Sequence, residues 1–284
     1  MHVLLTGSSG FIGNHYRKNS RYKETITPFS FQYDNIGSFD FSEVDTLIHL
    51  AALVHQMNGA DPESYHDINV AKTIKLAQKA KASGIKHFIF MSTVKVYGEE
   101  NDTPYTETSP CSPQDEYGKS KLLAERELEK LSDENFLVSI IRTPIVYGYG
   151  VKANIKNLIE LVNTIPILPL GNIDNKRSMV YIGNLCHLID EIIAQQQSGI
   201  FLASDDEPLS TSKLIRLIAK NLEKNIYLIK VPLFETLLKI VKSSFHKRLY
   251  GSLEVDNLLT KEKLNLKNPY TLEESVRLMI QGTQ

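Results

Sequence analysis

A chain of 284 residues, 42% hydrophobic and 23% charged, can bury a full core in one large domain or two smaller ones, and is too apolar to be disordered. Its net charge of −1 offers no general field for a polyanion and argues against a nucleic-acid partner. Its two cysteines, Cys111 and Cys186, make no disulfide framework and point to a reducing, cytoplasmic setting; no apolar run reaches membrane-spanning length, and a first strand beginning at His2 leaves no room for a signal peptide.

The first stretch organises the rest. Residues 2–5 form a short apolar run that reads as a buried strand. Thr6-Gly7-Ser8-Ser9-Gly10-Phe11-Ile12-Gly13 follows, and residues 11–19 read as a helix. Glycines allow a tight turn and close approach of backbone to a phosphate, and the helix N-terminus adds free N–H groups and a positive dipole end. A pyrophosphate belongs there, although the spacing Gly7-x-x-Gly10-x-x-Gly13 departs from G-x-G-x-x-G. A weaker strand is expected over 24–29, broken by Pro28, and residues 31–44 are compressed and unclear. Residues 46–50 read as a buried strand, 68–82 as a helix stopped by Gly84, and 87–91 as the next strand. A loop rich in Pro, Ser and Thr runs over 98–111. The next helix is expected to start near Ser112-Pro113-Gln114-Asp115, with Ser112 as its cap, and to run through Leu131; a buried strand over 136–142 follows. Short strands alternating with helices specify βαβ units and a doubly wound parallel sheet with helices on both faces.

Beyond Gly150 the pattern changes. Helices are expected over 154–164, 184–194, 211–222, 233–245 and 271–280, an extended segment over 166–171, and strands over 178–182, 200–203 and 226–231. There are no repeats and no low-complexity linkers. The division expected is a dinucleotide-binding domain over 1–149, rejoined by 176–203, and a smaller interleaved substrate lobe over 150–284. The eight histidines show no metal-ligand clustering; His49 and His55, the closest informative pair, read as loop residues and not as ligands.

Four pieces carry chemistry: the glycine turn, Met91-Ser92-Thr93 with Val96-Tyr97-Gly98, Tyr117-Gly118-Lys119-Ser120-Lys121, and Arg142-Thr143-Pro144. In an open parallel sheet, ligands sit beyond the carboxyl ends of the strands, where three of these pieces fall. Tyr117 and Lys121 are four apart and share one helix face; none of the other twelve tyrosines has a lysine four residues later. A phenol of pKa about 10 is a poor base at neutral pH, but a nearby ammonium and an oxidised nicotinamide both favour phenolate. The tyrosine can then take a proton from a hydroxyl, or give one to a ketone, as hydride moves, with Thr93 holding the same oxygen.

These residues resemble the extended short-chain dehydrogenase/reductase family, of the NAD-dependent epimerase/dehydratase type and its nucleotide-sugar branch. The resemblance runs from Val3 to about Pro269, on TGSSGFIG, His49-Leu50-Ala51-Ala52, Asn69, FMSTVKVYG at 90–98, YGKSK at 117–121, RTPIVYG at 142–148 and RSMVYIGNL at 177–185. LVHQMN at 53–58, NKRSMVYIGNL at 175–185 and KRLYGSL at 247–253 are similar to bacterial polysaccharide enzymes acting on UDP-N-acetyl-deoxyhexosamines: C4-ketoreductases making UDP-N-acetylfucosamine or UDP-N-acetylquinovosamine, and UDP-hexose 4-epimerases.

The resemblance implies a Rossmann fold, an NAD or NADP cofactor, a UDP-sugar substrate and a homodimer joined through a four-helix bundle that includes the Tyr117 helix. It implies Thr93, Tyr117 and Lys121 as the catalytic set. Cofactor contacts fall on Gly7, Gly10, Phe11, Ile12, Gly13, Leu50, Ala51, Ala52, Asn69, Ser92, Tyr117, Lys121, Pro144 and Val146. Thr93, Asn154, Arg177 and Arg248 face the substrate, the last three at its diphosphate, and no metal is expected. Guanidinium groups suit that task because they bind phosphates bidentately.

The chain departs from the family's dehydratases, which carry an acidic pair directly after the catalytic threonine; here Val94-Lys95 stands there and cannot supply that acid and base. Lys95 is expected to face solvent in preference to a substrate phosphate. Asp34 is a candidate for the cofactor ribose, and NAD versus NADP stays open. The compressed 31–44 segment, which leaves little to enclose the adenosine, favours cofactor exchange. The leading expectation is therefore reduction of a UDP-4-keto-6-deoxy-N-acetylhexosamine in surface polysaccharide biosynthesis. The alternative is a UDP-hexose or UDP-N-acetylhexosamine 4-epimerase, and the remote one a nicotinamide-sensing regulator. The 233–245 helix, with its lysines, is read as a lid over the sugar site, ahead of a membrane-surface helix.

Overall fold

The computed structural model describes residues 1–54 and 61–282. His55, and 55–58 of the LVHQMN stretch, lie outside them.

Alternating runs at the start of the chain become β1 (Val3–Thr6), α1 (Phe11–Asn19), β2 (Ile26–Phe29) and β3 (Thr46–His49). A helical stretch follows in three parts: α2 (Pro62–His66), a wide π-type turn at Asp67–Ala71, and α3 (Lys72–Ala82). β4 (His87–Thr93), α4 (Glu116–Glu129) and β5 (Leu137–Thr143) complete the first half. The second half contains β6 (Ile145–Tyr147), α5 (Ala153–Thr164), β7 (Ile167–Leu168), β8 (Met179–Tyr181), α6 (Ile182–Ala194), β9 (Gly199–Leu202) and α7 (Thr211–Asn221). It ends with β10 (Tyr227–Leu228), α8 (Phe234–Val241), α9 (Ser243–Tyr250), α10 (Leu258–Leu264) and α11 (Leu272–Gln281).

Six strands form one parallel sheet in the order β2-β1-β3-β4-β5-β9, with helices around it: the doubly wound Rossmann architecture. β9 returns to this sheet at its edge, whereas β8 pairs with β6 in a separate two-stranded sheet. The central strands read as near-continuous apolar runs because both faces are covered. One core cluster runs from Val3, Leu5 and Ile48 through α6 to Ile215, Val276 and Met279, so the second lobe shares its core with the sheet. A second cluster lies on the other face, where Leu4, Leu47 and Phe90 meet Leu76, Ala80, Ala124 and Leu128.

Several expectations are corrected. α4 is capped by Asp115, not Ser112: the Asp115 carboxylate accepts from Gly118 N at 2.7 Å, while Ser112 and Pro113 lie outside the helix. α4 also ends at Glu129, short of Leu131. The 68–82 helix begins six residues earlier, where Asp61 caps and Pro62 supplies a preset first turn. The 233–245 helix is two helices, broken at Lys242, whose backbone leaves helical angles. α10 was not anticipated. His49 is no loop residue but the last position of β3, buried between Thr6 Oγ1 at 2.7 Å and Thr73 Oγ1 at 2.9 Å. The 31–44 segment, unclear in sequence, is packed: Phe31, Phe39 and Phe41 join Phe29 in edge-to-face contacts under the sheet.

Candidate active site

The site begins with the turn between β1 and α1. Gly7 sits at φ +68°, and a Cβ there would lie 2.7 Å from Ala51 N. A Cβ at Gly13 would overlap the Gly7 carbonyl oxygen. The turn is thus pressed against the Leu50–Ala51 backbone and α1 against the turn, which only glycine permits. Gly10 caps α1 with no side-chain acceptor and no acid stands in the first turn, so the N–H groups at Phe11, Ile12 and Gly13 face outward for an anion. Thr6 Oγ1 accepts from Ala51 N at 3.2 Å and pins the ends of β1 and β3 together. This cradle fits the pyrophosphate of a dinucleotide.

Two expected cofactor residues have other partners. Asp34 closes its own turn, accepting from Ser30 N at 2.7 Å. Asn69, on the π-type turn, is buried; its Oδ1 accepts from Leu53 N at 2.8 Å and its Nδ2 donates to Leu53 O and Ser120 Oγ, both at 3.0 Å. It fastens the segment after β3 to the helix that carries Tyr117. Leu50, Ala51, Ala52, Pro144 and Val146 are half-buried beyond the carboxyl ends of β3 and β5.

Thr93 ends β4, in register with Thr143 at the end of β5, and its hydroxyl accepts from Lys95 N at 3.3 Å. Tyr117 is the second residue of α4, its ring 6.4 Å from that of Tyr65. Lys121, one turn on, is buried, with Nζ 3.8 Å from the centre of the Phe90 ring. Burial lowers the Lys121 ammonium to about 7, with Glu125 working against the fall. The chain's own groups do not lower Tyr117 as expected: burial raises its pKa, and the Asp115 charge and Tyr65 add to the rise.

The sequence reading missed what lies beneath this pair. Glu125 is buried with Arg142, whose Nη2 reaches Oε2 at 2.6 Å and whose Nη1 donates to Tyr97 Oη at 2.7 Å. Ser92 Oγ donates to the same carboxylate, so its side chain is committed to the network. Arg142 therefore joins β5, β4 and α4 under the site and does not face a ligand. A signal existed: Glu125 is four residues from Lys121 and eight from Tyr117, on one helix face. Lys95 was also misread. It faces neither solvent alone nor a phosphate, but pairs with Asp115 at 2.6 Å and Glu99 at 2.7 Å.

Asn154, Arg177 and Arg248 are brought together. All three line a cavity of about 310 Å³, whose wall also includes Ile145, directly after Pro144. Arg177 is held by main-chain bridges to Leu209 and Leu253, and its Nη1 donates to the carbonyls of Gly251 at 3.2 Å and Lys247 at 3.3 Å. Burial lowers its pKa, with Glu99 and Glu100 opposing, so an anion in the cavity would find a cation short of a counter-charge. Arg248 Nη1 donates to Asn154 Oδ1 at 3.3 Å. No group of three or more metal-ligating side chains occurs among the described residues, and no described helix is long and apolar enough to cross a membrane.

Comparison with known proteins agrees with this layout. The NAD dependent epimerase/dehydratase family matches residues 32–202. A UDP-glucose 4-epimerase from Vibrio cholerae is 37% identical, over 99% of this chain and 94% of that one. Among solved structures, UDP-N-acetylglucosamine 4-epimerase from Bacillus cereus has a TM-score of 0.81 at 20% identity, covering 99% of this chain and 98% of that one. RMD from Pseudomonas aeruginosa, complexed with NADPH, has a TM-score of 0.80 at 18% identity, covering 99% of both. With its glycine cradle, its strand-end threonine and its tyrosine–lysine pair on one helix, the chain belongs to the NAD dependent epimerase/dehydratase family and is an NAD(P)-dependent enzyme.

Proposed function

We propose that this protein is a UDP-sugar 4-epimerase. Similarity along the full length of both chains to the Vibrio cholerae UDP-glucose 4-epimerase carries the choice of epimerisation. The competing expectation of a C4-ketoreductase rested on the compression of residues 31–44, whose phenylalanines pack against the core beneath the sheet.

When bound, a nicotinamide cofactor would offer a reversible acceptor for the hydride of the sugar's C4, so the reaction would carry no net oxidation. The chain supplies the proton path. Tyr117 Oη takes the C4 hydroxyl proton and hands it back; Thr93 holds that oxygen by a hydrogen bond. Lys121 contributes a positive charge that favours phenolate, which has to overcome the burial that raises Tyr117. Gly7, Gly10, Phe11, Ile12 and Gly13 hold the pyrophosphate, with Leu50, Ala51, Ala52, Pro144 and Val146 along the dinucleotide. Arg177, Arg248 and Asn154 hold the substrate diphosphate, the arginines as bidentate donors. Two free cysteines are in keeping with a cytoplasmic enzyme. A homodimer is proposed through α3 and α4, on whose surface Leu123 is exposed.

The test is product analysis by NMR with UDP-glucose, UDP-N-acetylglucosamine and their 4-keto-6-deoxy forms. Interconversion of C4 epimers without added coenzyme, by protein that retains NAD on purification, is the expected result. Consumption of NADH or NADPH by a 4-keto sugar, with no epimerisation, would replace this reading with the reductase.

A further inference from the structure

The two helices that replace the expected lid have different surroundings. Phe245, Arg248 and Leu249 of α9 line the substrate cavity, and no residue of α8 does. α8 packs Phe234 against the core and half-buries Leu238. Its other side is apolar and open: Leu233 is 79% exposed, Leu237 58%, Ile240 77% and Val241 65%. Their spacing puts them on one face of the helix, and Ile229 and Val231 extend the patch along the preceding segment. A patch of this kind marks a contact surface.

Charge selects the partner. Residues 229–250 hold four lysines, Lys230, Lys239, Lys242 and Lys247, against one carboxylate, Glu235, in a chain of net charge −1, while the remaining cation, Arg248, lines the cavity. That carboxylate faces His246 at 3.3 Å. A second copy of this face would bring the same cations against themselves. We infer that α8 docks on an anionic lipid surface, its apolar face in the headgroup boundary and Lys239, with the lysines flanking the helix, on lipid phosphates. Because α9 follows directly and forms the cavity wall, docking sets the mouth of the substrate cavity at the bilayer.

The test is co-sedimentation with vesicles of phosphatidylglycerol and phosphatidylcholine, and with phosphatidylcholine alone. The full chain is expected to sediment with the anionic vesicles only, and less at high salt. Leu237→Gln with Ile240→Gln, both at exposed positions, should lower vesicle affinity about tenfold or more with Tm unchanged. Absence of sedimentation, or equal sedimentation of the variant, overturns the inference. So does a wild-type oligomer that the same two substitutions dissociate while vesicles are ignored, which would make the patch a self-contact. No substrate is needed, so this outcome is independent of the activity.

Discussion

Lys95 stands where dehydratases of the family carry an acid, and its work is mechanical. Its amide reaches Thr93 Oγ1 and its ammonium reaches the Asp115 carboxylate that caps the Tyr117 helix. The two side chains proposed to share one substrate oxygen are thereby held in register. Lys95→Ala should lower kcat about tenfold with little change in KM, and Lys95→Arg should restore most of it; steady-state kinetics read both. Tyr117→Phe should cost about 10²–10⁴ in kcat while UDP-sugar binding by calorimetry persists. The buried histidines set an acid limit. Burial lowers His49 to about 3 and His87 to about 4, so below their unfolded pKa of 6.5 the unfolded chain binds protons that the folded chain does not. Stability should therefore fall as pH drops from 6.5 toward 4, by about 1.4 kcal/mol per pH unit for each histidine. His49→Asn should flatten the slope by about one proton in urea melts at a series of pH values.

At the scale of elements, α4 carries the proposed catalytic pair at its start and one partner of a buried ion pair further along. Arg142→Met would leave Glu125 as a buried unpaired carboxylate and should cost about 3–5 kcal/mol in urea unfolding; Arg142→Met with Glu125→Leu should recover most of that loss. The β1–α1 turn is governed by contact distance. Gly7→Ala combines a left-handed backbone with a Cβ 2.7 Å from Ala51 N, and should weaken NAD binding about tenfold or more by fluorescence titration.

Across the whole molecule, one buried carboxylate joins the halves and a second braces the later half. Asp190 of α6 accepts from Tyr16 and Ser20 hydroxyls, each at 2.7 Å, and so ties α1 and the residue after it to the second half. Asp205, beyond β9, accepts from Tyr147 Oη at 2.6 Å and Asn184 Nδ2 at 2.7 Å. These ties lie outside the cavity lined by Arg177 and Arg248. Arg177→Ala should therefore raise KM for the UDP-sugar while NAD affinity, measured separately, stays the same.

By itself the sequence determined what is local: the glycine turn, the strand and helix periods, Tyr117 and Lys121 on one helix face, and the motifs of the family. Hydrogen-bond reach along a helix and alternation along a strand are short-range properties, so they are legible in a linear chain. Only the tertiary structure decided which polar groups spend their bonds on the chain itself. Asn69, Ser92, Arg142 and Lys95 looked available in sequence and are engaged by Leu53, Glu125, Tyr97 and Asp115. Their partners are 16 to 45 residues away. A buried polar group must be satisfied by whatever the fold brings beside it, and spacing along the chain does not reveal that neighbour.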